Sequence, residues 1–171
     1  LYTLFAYKHS KIRSLAIATF ILLATFQFAE FQVCANTLGN PELWSRIGYV
    51  AITFLPILGV QAISELAGRK NRQLLVALYS IGAVVALYFL VTPGVFIASI
   101  CTGKLVLFQL QPATATAYYM FYNVVLFISL GLAIMYRKTE KSVAKRQALV
   151  WYIVGILTFF VPTGIIYIVR P

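Results

Sequence analysis

Apolar runs of about twenty residues, separated by short polar turns, follow one another along this chain. Windows at 15–35, 47–67, 74–91, 117–136 and 148–169 are each long enough, as helices, to cross about 30 Å of hydrocarbon. A backbone in lipid must satisfy its own hydrogen bonds, so each window predicts an α-helix. A further apolar run, residues 1–7, rises only roughly 10 Å as a helix and cannot cross. It reads as the tail of a truncated helix, and Val169-Arg170-Pro171 reads as an equally cut end. Restoring the missing half-helix and one final descent gives an expected total of seven helices.

The connection 92–116 breaks the pattern. Val95 to Cys101 and Leu105 to Gln111 are short runs rich in Val, Ile, Leu and Phe, separated by Thr102-Gly103-Lys104 and bracketed by Pro93-Gly94 and Pro112. That punctuation predicts a β-hairpin, the alternative being a partly inserted apolar loop. The expected fold is an all-α integral membrane protein, one domain over 1–171. It is a multi-helix transmembrane bundle of five full spans plus the end of a sixth, with a short extracytoplasmic β-hairpin.

Composition agrees: 61% of the residues are hydrophobic. The net charge of +10 invites a nucleic-acid reading until the charges are located. Lys8, Lys11 and Arg13 precede the first full span; Arg69, Lys70 and Arg72 follow the second; Arg137, Lys138, Lys141, Lys145 and Arg146 follow the fourth. The alternate connections carry only Arg46, Lys104 and Arg170. This is the positive-inside pattern of a multi-pass protein of a cell (inner or plasma) membrane, with basic loops cytoplasmic and 92–116 extracytoplasmic. Anionic lipid headgroups are a compatible partner for the basic loops, and nothing presents a base-reading surface for nucleic acid.

The polar residues inside the spans carry the candidate chemistry. Gln27, Glu30 and Cys34 fall at i, i+3 and i+7 on one helical stripe, and Arg46, Tyr49 and Thr53 repeat that spacing on the next helix. The turn Asn36-Thr37-Leu38-Gly39-Asn40-Pro41-Glu42 makes the two helices antiparallel neighbours, so Glu30 is expected to meet Arg46. An ionised carboxylate in a span costs up to about 3 kcal/mol unpaired, and an Arg partner removes most of that cost. The pair has two readings: a structural lock, or, with Tyr49, Tyr119, Tyr122 and Asn123, the polar lining of an outward-facing ligand pocket. Tyr118, Tyr119 and Tyr122 also suit an aromatic belt at the headgroup boundary. Glu65 is expected to pair with Arg69 at i,i+4 or to be solvated, and Gln61 to hydrogen-bond to a neighbouring helix. The placement of Cys34 and Cys101 permits a disulfide, but the favoured reading is two buried small apolar residues.

Leu43-Trp44-Ser45-Arg46-Ile47-Gly48-Tyr49, leading through Phe54-Leu55-Pro56 into Gly68-Arg69, resembles the seven-helix membrane region found ahead of bacterial histidine kinases and diguanylate cyclases. The third helix of that family begins with a tryptophan, a basic residue and a tyrosine, has a proline near its middle and leaves through a Gly-Arg turn. The resemblance implies a sensory input module, an unidentified small ligand, a cytoplasmic output domain outside this chain and homodimerisation through the parent protein. No cofactor and no metal site is expected, since the chain has no His-Glu-x-x-His or comparable cluster.

Other classes fit less well. The sole histidine, His9, lies in a basic turn and the chain has no aspartate, which argues against catalysis within this region. A transporter is the stronger alternative: Thr53-Phe54-Leu55-Pro56 and Thr158-Phe159-Phe160-Val161-Pro162-Thr163-Gly164 are proline-interrupted segments running in opposite directions, a faint inverted-repeat pattern.

Overall fold

The computed structural model describes residues 11–69, 71–101 and 106–169, without the side chains of 98, 100, 107 and 159–169. The apolar run 1–7, Lys8, His9, Lys70, the 102–104 turn, Arg170 and the side chain of Pro162 lie outside that description. Helix α1 covers Lys11–Ala35, α2 Pro41–Leu66, α3 Arg72–Val91, α4 Pro112–Thr139 and α5 Val143–Val169. Strands β1 (Phe96–Cys101) and β2 (Val106–Leu110) lie between α3 and α4 and pair antiparallel, with Cys101 opposite Val106 and Phe96 opposite Leu110. The register shifts between Phe96 and Ala98, a bulge that leaves Ile97 exposed. The chain is thus mostly helical with one small sheet, and α1 to α4 each have the length and apolarity to cross a bilayer. The fifth predicted window forms α5, 27 residues long.

Local chemistry sets the turns. Beyond α1, Asn36 and Asn40 take left-handed backbone angles, which Asn tolerates better than most residues. The buried Gln32 side chain closes this turn, its Oε1 accepting from Thr37 Oγ1 at 2.7 Å and from the Leu38 amide at 3.3 Å. Asn40 caps α2 by accepting the Leu43 amide at 3.1 Å, with Pro41 at the first helical position. At the other end of α2, Gly68 has φ +66°; its amide bonds to Glu65 O and the Arg69 amide to Ser64 O, a Schellman stop that requires the left-handed residue.

Helix α2 is the axis of the bundle. It packs on α1, α3 and α4, and 56% of its most apolar stretch is buried, against 11% for α1 and 22% for α3 and α4. Small residues allow the close approaches: a Cβ on Gly48 would sit 3.3 Å from the Cβ of the fully buried Ala29. Three buried layers follow the axis. Tyr49, Phe89, Val95, Leu110 and Tyr118 form the layer at the hairpin; Ile57, Val60, Leu78 and Val125 the middle; Ile63, Ala133, Tyr136 and Leu149 the far end. The outward faces are also apolar, with Phe20, Ile21, Val84, Leu87, Phe127 and Leu157 exposed. An apolar exterior of this kind suits lipid as the surrounding solvent.

The far end collects the basic residues. Lys11 Nζ lies 3.6 Å from Glu65 Oε1, Asn71 donates to the Tyr136 hydroxyl, and Leu149 packs on Ile63. The start of α1, the α2–α3 turn and the α4–α5 turn therefore share one end, opposite the hairpin, and bring Arg69, Arg72, Arg137, Lys138 and Arg146 there. Glu65, expected either to pair with Arg69 or to be solvated, is partly exposed and lies beside Lys11; the Schellman stop takes the chain out of helical register before Arg69. Gln61 meets the neighbouring helix as expected, its Oε1 accepting from the Tyr79 hydroxyl at 2.5 Å.

Candidate functional site

Tyr49 of α2 is the hub of the hairpin end and is 5% exposed. Its ring centroid lies 5.0 Å from that of Phe89 on α3, 5.1 Å from Phe96 on β1, 5.6 Å from Phe108 on β2 and 5.3 Å from Tyr118 on α4. The two strand rings meet it edge-to-face, the arrangement that aligns the positive ring edge with the negative face. One side chain thus ties three helices to both strands. Thr53, one turn further along α2, donates to the Tyr49 carbonyl at 2.6 Å and lies 3.4 Å from the Tyr118 hydroxyl.

A covalent link adds to this box. Cys34, next to the last residue of α1, and Cys101, the last residue of β1, form a disulfide with Cα atoms 5.8 Å apart. The favoured expectation of two buried small apolar residues is overturned, since both cysteines are exposed as well as joined. The hairpin folds back across the top of α1, which contacts β2 directly.

Arg46 and Glu30 do not meet. Arg46 pairs with Glu42 on its own helix at 2.7 Å and donates to the Leu90 carbonyl at 2.5 Å and the Phe89 carbonyl at 3.4 Å. Those carbonyls belong to the last turn of α3, where orphan acceptors and the negative end of the helix dipole favour a cation. Glu30 is half-buried and accepts from Gln27 Nε2 at 3.0 Å. The physical reason is helix rotation. Gly48 of α2 meets Phe26 and Ala29 of α1, and Gln32, Val33 and Ser45 are buried. Glu30 and Arg46 each stand one residue, about 100° of helix, off the contact face.

The remaining predicted site residues are dispersed. Tyr122 packs partly buried against the aromatic box with Tyr49. Tyr119 is exposed on α4, and Asn123 turns back to donate to the Tyr119 carbonyl at 2.7 Å. Arg46 stands one turn from Tyr49 but is engaged by α3. The six residues therefore do not form one common lining, although Tyr49, Tyr122 and Arg46 all serve the hairpin layer.

Beside that layer a cleft of about 440 Å³ opens between α3 and α4. Val84, Tyr88 and Phe89 wall it on one side, Ala117, Tyr118 and Phe121 on the other. The Tyr88 hydroxyl and Thr114 Oγ1 lie 3.0 Å apart and bridge the two helices at its rim. Its volume, apolar walls and few polar groups match the usual make-up of a small-molecule site. Tyr88, Thr114, Tyr118 and Phe121 escaped the sequence reading as site residues. The available signal was Ala113 and Ala117, small residues one turn apart on α4, which leave space opposite Val84. Among the described residues, no group of three or more His, Cys, Asp or Glu side chains converges, so the chemistry of this cleft is that of rings and hydroxyls.

No protein-family model, characterised protein or solved structure matches this chain.

Proposed function

We propose that this chain is the membrane-embedded input module of a sensory protein, taking up a small apolar ligand in the α3–α4 cleft and passing a helix displacement to the basic end. The observation that carries this reading is the cleft itself. It lies beside the hairpin layer, between two helices that each lean on the axial helix α2. An occupant would act as a wedge there, favouring one of two packings of α3 and α4 about a fixed axis. The same axis is tied at its far end, where Asn71 reaches both Ser64 and Tyr136, so movement of α4 would be felt in the α2–α3 turn.

In this reading α5 is a fifth span, the hairpin is extracytoplasmic and the basic end is cytoplasmic. A disulfide in the hairpin suits an oxidising compartment, and cations gathered at the opposite end suit the positive-inside rule. The resemblance to the membrane regions of histidine kinases and diguanylate cyclases supplies the class of output.

The test uses paired spin labels at Arg72→Cys and Lys141→Cys in nanodiscs; the native cysteines, being joined, leave the introduced thiols to react alone. Ala117→Trp fills the cleft permanently. The expected result is a shifted distance distribution at the basic end. An unchanged distribution, with the fold intact by circular dichroism, sinks the sensor reading.

A further inference from the structure

The α4–α5 corner holds a second recess, of about 700 Å³, at the opposite end from the cleft. Arg137, Lys138 and Arg146 border it together with Gln147, Val150 and Trp151. Among the described residues no carboxylate lines it and none of its three cations forms an ion pair. The acidic side chain in the connecting turn, Glu140, is engaged with the Ser142 amide at 3.0 Å. Three cations lining one recess, with a single carboxylate in the adjoining turn, leave an excess of positive charge that an anion would neutralise.

The recess also has a direction. Arg146 stands five residues, roughly 7 Å of helix rise, from Trp151 on α5. Trp151 is 67% exposed, and the apolar wall continues through Val150 and Ile134 onto the outer face of the bundle. Charge, then amide, then indole, then aliphatic surface is the polarity sequence of a phospholipid read from its phosphate to its acyl chains. We propose that this recess binds one anionic phospholipid, its phosphate held by Arg137, Lys138 and Arg146 and its upper acyl chain lying along Trp151. A choline headgroup would place a fixed cation among three others, so a zwitterionic lipid fits it worse.

The chain has two tryptophans, and Trp44 is at the hairpin end, so each can report separately. In a W44F protein reconstituted in phosphatidylcholine, Trp151 emission is measured with brominated phosphatidylglycerol or brominated phosphatidylcholine at equal mole fraction. The expected result is an apparent affinity at Trp151 about fivefold higher for the anionic lipid, the equivalent of one well-placed cation. Selectivity should vanish in R137Q/R146Q and be absent for Trp44 in W151F. Equal quenching of Trp151 by the two lipids overturns the proposal, and this arm needs no substitution in the recess. Selectivity that survives R137Q/R146Q overturns it too, because the preference would then belong to the membrane surface at large. Loss of selectivity on adding millimolar inorganic phosphate would assign the recess to free phosphate and overturn the lipid.

Discussion

Replacing Cys34 and Cys101 together by serine removes the covalent tether of the hairpin and leaves its aromatic box in place. The bonded residues are 67 apart in sequence, which for a random coil corresponds to about 4 kcal/mol of loop-closure entropy. In a bilayer, α2 and α3 stay helical when tertiary contacts are lost, so only the turns and the hairpin itself gain freedom. A flexible length of that order corresponds to about 3 kcal/mol. Against this stand the buried Val95 and Leu110, about 1.5 to 3 kcal/mol each, and the edge-to-face contacts of Phe96 and Phe108 with Tyr49, about 0.5 to 1.5 kcal/mol each. The non-covalent docking sums to about 4 to 9 kcal/mol and outweighs the tether. The expected outcome is a lower thermal midpoint, by about 6 to 12 °C for a chain of this size, with the hairpin still docked. Thermal unfolding in detergent gives the midpoint, and hydrogen exchange of 96–101 and 106–110 reports docking. Strand amides exchanging at unfolded-chain rates in the serine variant, well below its midpoint, would refute the reasoning and make the disulfide the element that holds the hairpin.

The other expectations are tested by the same unfolding measurement. Arg46→Gln should cost about 1.5 to 3 kcal/mol, as the charged donor to the α3 carbonyls is lost, whereas Glu30→Gln should stay within about 0.5 kcal/mol; the reverse ranking would contradict the contacts described for the two residues. Gly48→Leu should drive α1 from α2 at a cost of about 1 to 3 kcal/mol. Gly131→Leu, where an added Cβ meets nothing within 4 Å, is its neutral control, and equal losses would contradict the packing described. Tyr152→Phe should cost about 0.6 to 1.7 kcal/mol through the bond to Ser129 at 2.5 Å, a loss that Ser129→Ala should reproduce and the double variant should not exceed.

Much of the architecture is readable without coordinates because lipid imposes blunt requirements. Contiguous apolarity locates the helices, so the windows 15–35, 47–67, 74–91 and 117–136 fall inside or within one residue of α1 to α4. Proline and glycine punctuate the hairpin: its strands fall within the runs predicted for them, entered through the Gly94 turn and left at Pro112. The gathering of cations at one end follows from an alternation already present in the linear order of charges.

The site was less legible, and Glu30 with Arg46 shows why. Their spacing is right for two facing stripes, and their depth in the helices is right as well. Yet a helix with apolar residues on every side gives little sign of its rotation, because in a membrane the inside and the outside ask for the same chemistry. A 100° error is invisible in the sequence and decisive in space: it exchanges a pairing between α1 and α2 for a cap on α3. The disulfide depended on the same unknown, since only the fold of the hairpin over α1 brings Cys101 to Cys34. The sequence by itself determined which segments are helices, where they turn and at which end the cations accumulate, because these depend on local composition and on the solvent. Which faces meet, which cysteines join and where α3 and α4 leave a cleft were decided only by the tertiary structure, because these follow from side-chain volume fitted across helices far apart in the chain.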